Sequence, residues 1–519
     1  MFRGISTRLV PSILLGTVFG AALTVCAAGP AFAQKANDTI RIAVNDPFSV
    51  LDLYHFPQDE VGNFNRATSG TLIKLDEYKG EFIPELAKAW RRIDDKTIEF
   101  DLRDDITFHS GNKFTAEDVR YTIDYLKDPK SKMRFADRYN WVKEIQVLGP
   151  YKLRYVATAA KSTDMIVISQ QHYIYDSAVH KTLENPQDYG RVSASGTGPY
   201  KLVSLDRNDG VTLERNDKMP PMAHLRAPIR RIHGIWVPDK QTQIAQLITG
   251  GIDLLANVTS DMAKDLGNQP NIRTTARPSK QLLYITLDAA GRSANKAMTD
   301  ERVRKALIMA IDRETIIKTF IAGADAAERP KSICFETTLN CKPTTHPYGY
   351  DPAAAKKLLA EAGFADGFDL TLHAFAPLQP IAVAIAGELR KVGIRASVEA
   401  LPLSVYTKKR GDGELTAFLG AYPSASTPIV SNILDVFFGG NRDYWKDPMF
   451  PKIIADGLAE YDNTKRSAIY TPLLDRVNEK AYIFPISEQP TVFVHSKDVA
   501  VLPSLFSAGS TRVTDYAWR

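Results

Sequence analysis

A serine with a lysine three positions on, Ser110-Gly111-Asn112-Lys113, has the Ser-x-x-Lys spacing that can set an amine beside a nucleophilic hydroxyl. Here the pattern falls on a tight turn after a strand, not on a helix start. With two free positions it also arises often by chance, so a turn is the plainer reading. The chain contains no His-Glu-x-x-His, Gly-x-Ser-x-Gly or Cys-x-x-Cys. Its nine histidines are scattered, and each reads better as surface or core than as catalyst. A serine, a histidine and an acid converging in space stay open, but no spacing points to them. Cys334 and Cys341, with Pro330 before and Pro343 after, read as a disulfide closing a small loop in an exported protein. Such a loop adds roughly 2–3 kcal/mol on the chain-entropy model. A metal site is the alternative, but His346, the nearest histidine in sequence, has no second partner at ligand spacing.

Residues 1–33 carry the marks of a cleaved secretory signal. Arg3 and Arg8 make a positive start, Ile13 to Val25 an apolar run, and Ala31-Phe32-Ala33 a small-residue cleavage site before Gln34. An uncleaved anchor is the alternative, but Pro30 and the small residues interrupt the run short of a comfortable span. Leu23-Thr24-Val25-Cys26 has Val where lipidation needs Gly, Ala or Ser. Loss of the two arginines lowers the formal charge from +5 to +3, which leaves no nucleic-acid footprint on so long a chain. The mature length suits about three domains at roughly 150 residues each.

Any binding residues must be held by the elements around them. Thr39 to Val44 alternates Ile40, Ile42 and Val44 as a strand. First-strand ends of α/β lobes commonly face a cleft, which makes Phe48 to Phe56, with Tyr54, a candidate binding loop. Thr115 with Asp118 imitates a capping box, and Gln170 to Tyr175 is a candidate contact segment, although a plain surface helix or loop is the commoner outcome. Leu282 to Leu287 reads as the strand by which the chain leaves its first lobe. In Thr299 to Arg313, Val303, Ala306, Leu307, Ala310 and Ile311 share one helical face. Thr299 is expected to cap that helix and Asp312 to cap the next, up to Phe320. Asp351-Pro352 starts a further helix that Gly363 ends.

The wording of several segments is similar to one known family. Asp300-x-Arg302-Val303-Arg304-x-Ala306, closing on Ala310-Ile311-Asp312-Arg313, resembles a signature of the family 5 extracytoplasmic solute-binding proteins, the peptide, nickel and opine receptors of ABC importers. Four more segments agree in the family's order: Pro84 to Trp90, Phe108 to Val119, Gly196-Thr197-Gly198-Pro199-Tyr200, and Gly251-Ile252-Asp253. Ala89 stands where the family often has serine. The resemblance covers nearly all the mature chain. It implies an α/β, two-lobe periplasmic-binding-protein fold of type II, in the large cluster with an extra subdomain in the first lobe, the lobes joined by a two-segment hinge. On that plan 34–80, 190–282 and 491–519 form the first lobe, 81–189 the extra subdomain and 283–490 the second lobe.

The implied function is that of a periplasmic, monomeric receptor without cofactor or enzyme activity. It would close on a small molecule or short peptide and deliver it to an ABC permease and its ATPase subunits in the inner membrane. Peptide receptors of this family often grip the ligand's ammonium with an aspartate a few residues after a Gly-Trp pair. The matching stretch here is Phe418 to Ser426, with Gly420 as the glycine, Ala421 in the tryptophan position and Ser424 in the aspartate position; no carboxylate lies between Glu414 and Asp435. A charge-assisted hydrogen bond is worth roughly 1.5–3 kcal/mol, so a free α-amine is not expected to be the chief handle unless Asp435 substitutes. The candidate cleft residues are Tyr54, Tyr422, Ser424 and Ser426, with Trp141 and Trp236 as further aromatic candidates. A peptide or peptide-like polar solute is the expected ligand. An opine, a sugar conjugate or a metal chelate is the alternative. A secreted hydrolase, or a periplasmic chaperone or chemoreceptor adaptor, are the alternatives of another class.

Overall fold

The strand Thr39–Val44 buries Ile40, Ile42 and Val44 on one face, as its alternation requires. It lies parallel to Arg231–Trp236 on one side and to Leu254–Ala256 on the other, inside a seven-stranded sheet. That sheet runs in the order 272–277, 491–496, 254–256, 39–44, 231–236, 210–215 and 200–206. A second, five-stranded sheet has the order 395–401, 369–375, 417–423, 281–287 and 483–488. A third, of four antiparallel strands (87–94, 97–102, 152–157, 142–149), forms a subdomain covered by the helix Ala116–Lys127. The computed structural model describes residues 35–519 except 46, 134, 135, 192–194, 223, 346, 425, 426 and 510. The expected signal at 1–33 lies outside the described residues.

The helix that opens the second lobe is Glu301–Met309, and its cap is Asp300 rather than Thr299. Ala297–Thr299 winds as a short 3-10 turn in which the Thr299 hydroxyl donates to the Lys296 carbonyl, so it is already spent. Asp300 is the extended residue and accepts from Arg302 N at 2.8 Å. Val303, Ala306, Leu307, Ala310 and Ile311 are all buried against the five-stranded sheet's strands and helices. Asp312 caps Arg313–Phe320, Asp351 caps Pro352–Glu361, and Thr115 and Asp118 form a reciprocal box. Each is a short-range arrangement that needs nothing from outside its own segment.

The chain passes between the two large sheets twice, at 278–280 and at 489–490. Gln281–Leu287 is already a strand of the five-stranded sheet, Leu282 pairing with Tyr422 and Glu488. The crossing therefore precedes the expected boundary at 282. The two crossings are stitched together: Gln489 N donates to Gln281 O at 2.8 Å, and Ser279 Oγ to Gln489 O at 2.5 Å. Lys280 sits between them with φ +51, a left-handed conformation that costs a residue bearing a Cβ about 1–2 kcal/mol. Its N–H donates to Glu488 Oε1, and its buried Nζ reaches both Glu77 (2.8 Å) and the Thr337 carbonyl (3.0 Å). Thr337 lies in the loop closed by the Cys334–Cys341 disulfide.

Candidate functional site

A cavity of about 840 Å³ opens between the subdomain and the second lobe. One wall is the segment Lys161 to Thr163 and the helix Asp164–Gln171. The other is the end of the strand Ala417–Pro423 with the helices Val430–Phe438 and Phe450–Ala459. The second-lobe helix shows why the wall is mixed in character. Val430, Ile433 and Phe437 turn into the lobe's own core, so the 3.6-residue period leaves Asn432 and Asp435 on the cavity side. Ile454 and Leu458 add an accessible apolar lining, with the buried Leu434, Phe438 and Phe450 behind them.

Several polar side chains of the lining keep hydrogen-bonding capacity open to the cavity. Asn432 Nδ2 donates to the Tyr422 hydroxyl oxygen at 2.8 Å, which leaves the hydroxyl proton for another acceptor. Burial pushes that hydroxyl up to about 12, against the pull of Asn432, so it is a donor at neutral pH. Burial likewise lowers the Lys161 amine, while Asp164 draws it back up. Gln171, Thr427 and Ser431 complete the polar lining.

Behind this cavity lies a smaller one of about 340 Å³, the two sharing Ile166 and Ile429. Here the subdomain and the second lobe touch directly. Ser162 Oγ donates to Leu458 O at 2.6 Å, and Arg466 donates to Ser162 O at 3.0 Å. The Tyr461 hydroxyl donates to Asp95 O at 2.7 Å, while Arg92 lies 4.4 Å from the Tyr461 ring centroid.

Of the residues expected in the cleft, Tyr422 lines the large cavity. Ser424 does not: it is buried at the hinge, where its N–H and its Oγ both donate to Lys280 O, at 3.0 and 2.7 Å. Asp435, the acidic alternative, does line it. Tyr54 is buried one layer back. Its hydroxyl donates to Tyr173 O (2.6 Å) and Gln171 O (3.1 Å), and its ring packs edge-on against Tyr139 and Tyr175. It supports the wall that carries Gln171 rather than facing a guest. Trp141 stacks along Tyr155 and His172 in the subdomain. Trp236 donates its indole N–H to Asn45 O at 2.9 Å, beside a separate hollow of the first lobe. Ser426 lies outside the described residues. Lys161 and Asn432 were not read from the sequence, since neither belongs to a motif and each gains its place only through packing.

The Ser110 turn is structural. Ser110 Oγ donates to Asp176 at 2.6 Å, Asn112 adds a second bond to the same carboxylate, and His109 bonds main-chain groups of Gly196 and Gly198. Among the described residues, no group of three histidine, cysteine or acidic side chains is placed to hold a metal ion. No helix among them is long and apolar enough to cross a membrane.

Comparison with known proteins agrees with this architecture. The glutathione-binding protein GsiB of Pectobacterium atrosepticum is 26% identical over 524 residues, covering 94% of this chain and 96% of that one. The structure of NikA from Brucella suis in complex with Fe(III)-EDTA superposes with a TM-score of 0.79 at 21% identity, covering 93% of this chain and 100% of that one. The periplasmic binding protein DppA from Helicobacter pylori, in complex with the peptide STSA, gives 0.69 at 20% identity, covering 93% and 99%. At such identities the solved structures share the fold, a two-lobe binding protein. The family model for bacterial extracellular solute-binding proteins, family 5, matches residues 81–445. Two sheets joined by a double crossing, a cavity between the subdomain and the second lobe and a family match over more than half the chain lead to one conclusion: this protein is a member of the family 5 bacterial extracellular solute-binding proteins, the solute-binding subunit of an ABC importer.

Proposed function

We propose that the ligand is a peptide or peptide-like polar organic solute, held in the 840 Å³ cavity between the subdomain and the second lobe. The observation that carries this reading is the cavity's make-up. Its volume lies within the range of roughly 300–1,000 Å³ typical of small-molecule sites. Its lining combines hydrogen-bonding side chains (Tyr422, Asn432, Gln171) with an apolar surface from the second lobe. Moving the lobes from about 1:99 to 99:1 closed takes roughly 5.5 kcal/mol of differential binding. At about 1 kcal/mol net per hydrogen bond, a handful of bonds to an extended solute supplies that without covalent chemistry. The glutathione-binding relative GsiB makes glutathione the member of the class to try first. The protein works as an exported periplasmic monomer, with 1–33 removed, and passes its solute to the permease.

Native mass spectrometry of the freshly purified protein, followed by a thermal-shift panel of peptides and glutathione, tests the reading. Retention of a peptide-like solute, or stabilisation by a panel member, is expected. A retained sugar or metal chelate, with no stabilisation by any peptide, would overturn it.

A further inference from the structure

The two walls of the cavity differ in how their charges are satisfied. On the second-lobe wall, Asp435 faces Arg442 of its own lobe at 3.6 Å, and Asp443 Oδ1 accepts the N–H groups of Trp445 and Lys446, both at 2.9 Å. On the subdomain wall, Asp164 gives its two oxygens to Arg92, at 2.7 and 2.9 Å. Lys161 is half-buried at the cavity, and its ammonium has no hydrogen bond or ion pair among the described residues. Arg138 stands on the same wall. The second-lobe carboxylates are thus engaged by groups of their own lobe, and the nearby Asp164 is committed to Arg92, so the Lys161 ammonium is left without a direct ion pair. A partly desolvated ammonium in that state is unfavourable, and burial does lower the Lys161 amine. An anionic guest would relieve it.

We propose that Lys161 is the specificity residue that anchors a carboxylate of the solute. The guest is gripped by an acid group from the subdomain wall, rather than by an ammonium from the second lobe. This rests on the reading of the interlobe cavity as the ligand site. It fits the placement of Ser424, which stands where an ammonium-binding aspartate was expected and is turned to the hinge. The accessible apolar groups Ile454 and Leu458 on the opposite wall then receive the uncharged part of the guest. Because Lys161 and those residues belong to different lobes, an acid held on one wall and an apolar group on the other would favour the closed form.

The test compares the wild-type mature protein with Lys161→Met and Lys161→Arg. Solute released by denaturing the wild type is identified by mass spectrometry. Calorimetry then measures that solute and its fully esterified form against all three proteins; where nothing is retained, Ala-Ala, Ala-Leu and their C-terminal amides, with glutathione and its diester, serve as the probes. The acid should bind Lys161→Met about ten- to a hundredfold more weakly than wild type, and Lys161→Arg within a few-fold. The ester or amide should bind wild type and Lys161→Met alike. The acid-over-ester preference of the wild type is measurable even if Lys161→Met folds poorly, and its absence would overturn the anchor. Retention of a solute lacking any acid group, or an acid preference that survives in Lys161→Met, would overturn the Lys161 assignment and leave the receptor reading standing. Failure of every probe to bind, with nothing retained, would sink both.

Discussion

The lobes meet in two places, and the contrast between them is instructive. At the hinge the contacts are buried and mutually reinforcing. Lys280 Nζ bonds Glu77 and Thr337 O, Glu77 also accepts from Ser507 Oγ and Ala508 N, and Glu488 accepts from the N–H groups of Ser279, Lys280 and Glu328. At the cavity end the hydrogen bonds are fewer and two of the three are exposed, Ser162 with Leu458 and Tyr461 with Asp95; the buried Arg466 on Ser162 O and the apolar packing of Ile166 on Ile429 lie beside them. Buried polar groups are expensive to separate because water cannot replace their partners, whereas exposed ones exchange for water at little net cost. The first set is built to stay joined while the second can part and re-form. That is what a receptor that traps and releases a guest requires.

The largest effect should come from breaking the hinge. Lys280→Met leaves the Glu77 carboxylate buried without its cation, and such one-sided losses cost about 3–5 kcal/mol. Urea denaturation should show this, and adding Glu77→Gln should recover much of it. A loss below about 1 kcal/mol would mean that the hinge is no tighter than the cavity end. Acid acts on the other side of the molecule. Burial lowers His172 to about 3 and His180 to about 4, both in the subdomain. Both are neutral in the fold at neutral pH, while in the unfolded chain they take up protons near 6.5. Stability from this source is intact above pH 6.5 and falls as pH drops below it, by about 1.4 kcal/mol per pH unit for each histidine, until the folded-state values are reached. Hydrogen exchange at pH 5 should therefore loosen residues 97–102 and 152–157 before residues 281–287.

Removing the Cys334–Cys341 bond by a double serine substitution frees the loop that presents Thr337 to Lys280. It should cost roughly 2–3 kcal/mol in thermal unfolding. The smallest change is Tyr461→Phe, which deletes one half-exposed bond across the cavity end. Apo stability should hold, and ligand affinity should drop by about two- to tenfold. If instead it destabilised the apo protein as much as Lys280→Met does, the distinction between the two contacts would be lost.

Much of the second lobe's local structure can be read directly from residue order. The helix face from Val303 to Ile311, the Asp312 and Asp351 caps and the Cys334–Cys341 pairing depend on neighbours within about a dozen positions, and each stands as expected. The Thr299 cap failed because two adjacent residues both suit the role, and only the 3-10 turn before the helix chose between them. The cleft residues fared less evenly. Tyr54 follows a first strand, as a cleft residue should, yet a polar aromatic is equally at home one layer back with its hydroxyl on two carbonyls.

By itself the sequence determined the periodicities, the caps, the cysteine loop and the family. These are set by interactions along one segment, or by the order of segments. Only the tertiary structure decided that Lys161 faces Tyr422 and Asn432 across a cavity, that Ser424 belongs to the hinge, and that Lys280 is buried between the two crossings. Residues at least 144 positions apart meet there because the sheets of the two lobes, each folding around its own core, are joined by only two crossings. Which side chains then face the gap depends on how those sheets sit against each other, and no local pattern carries that information.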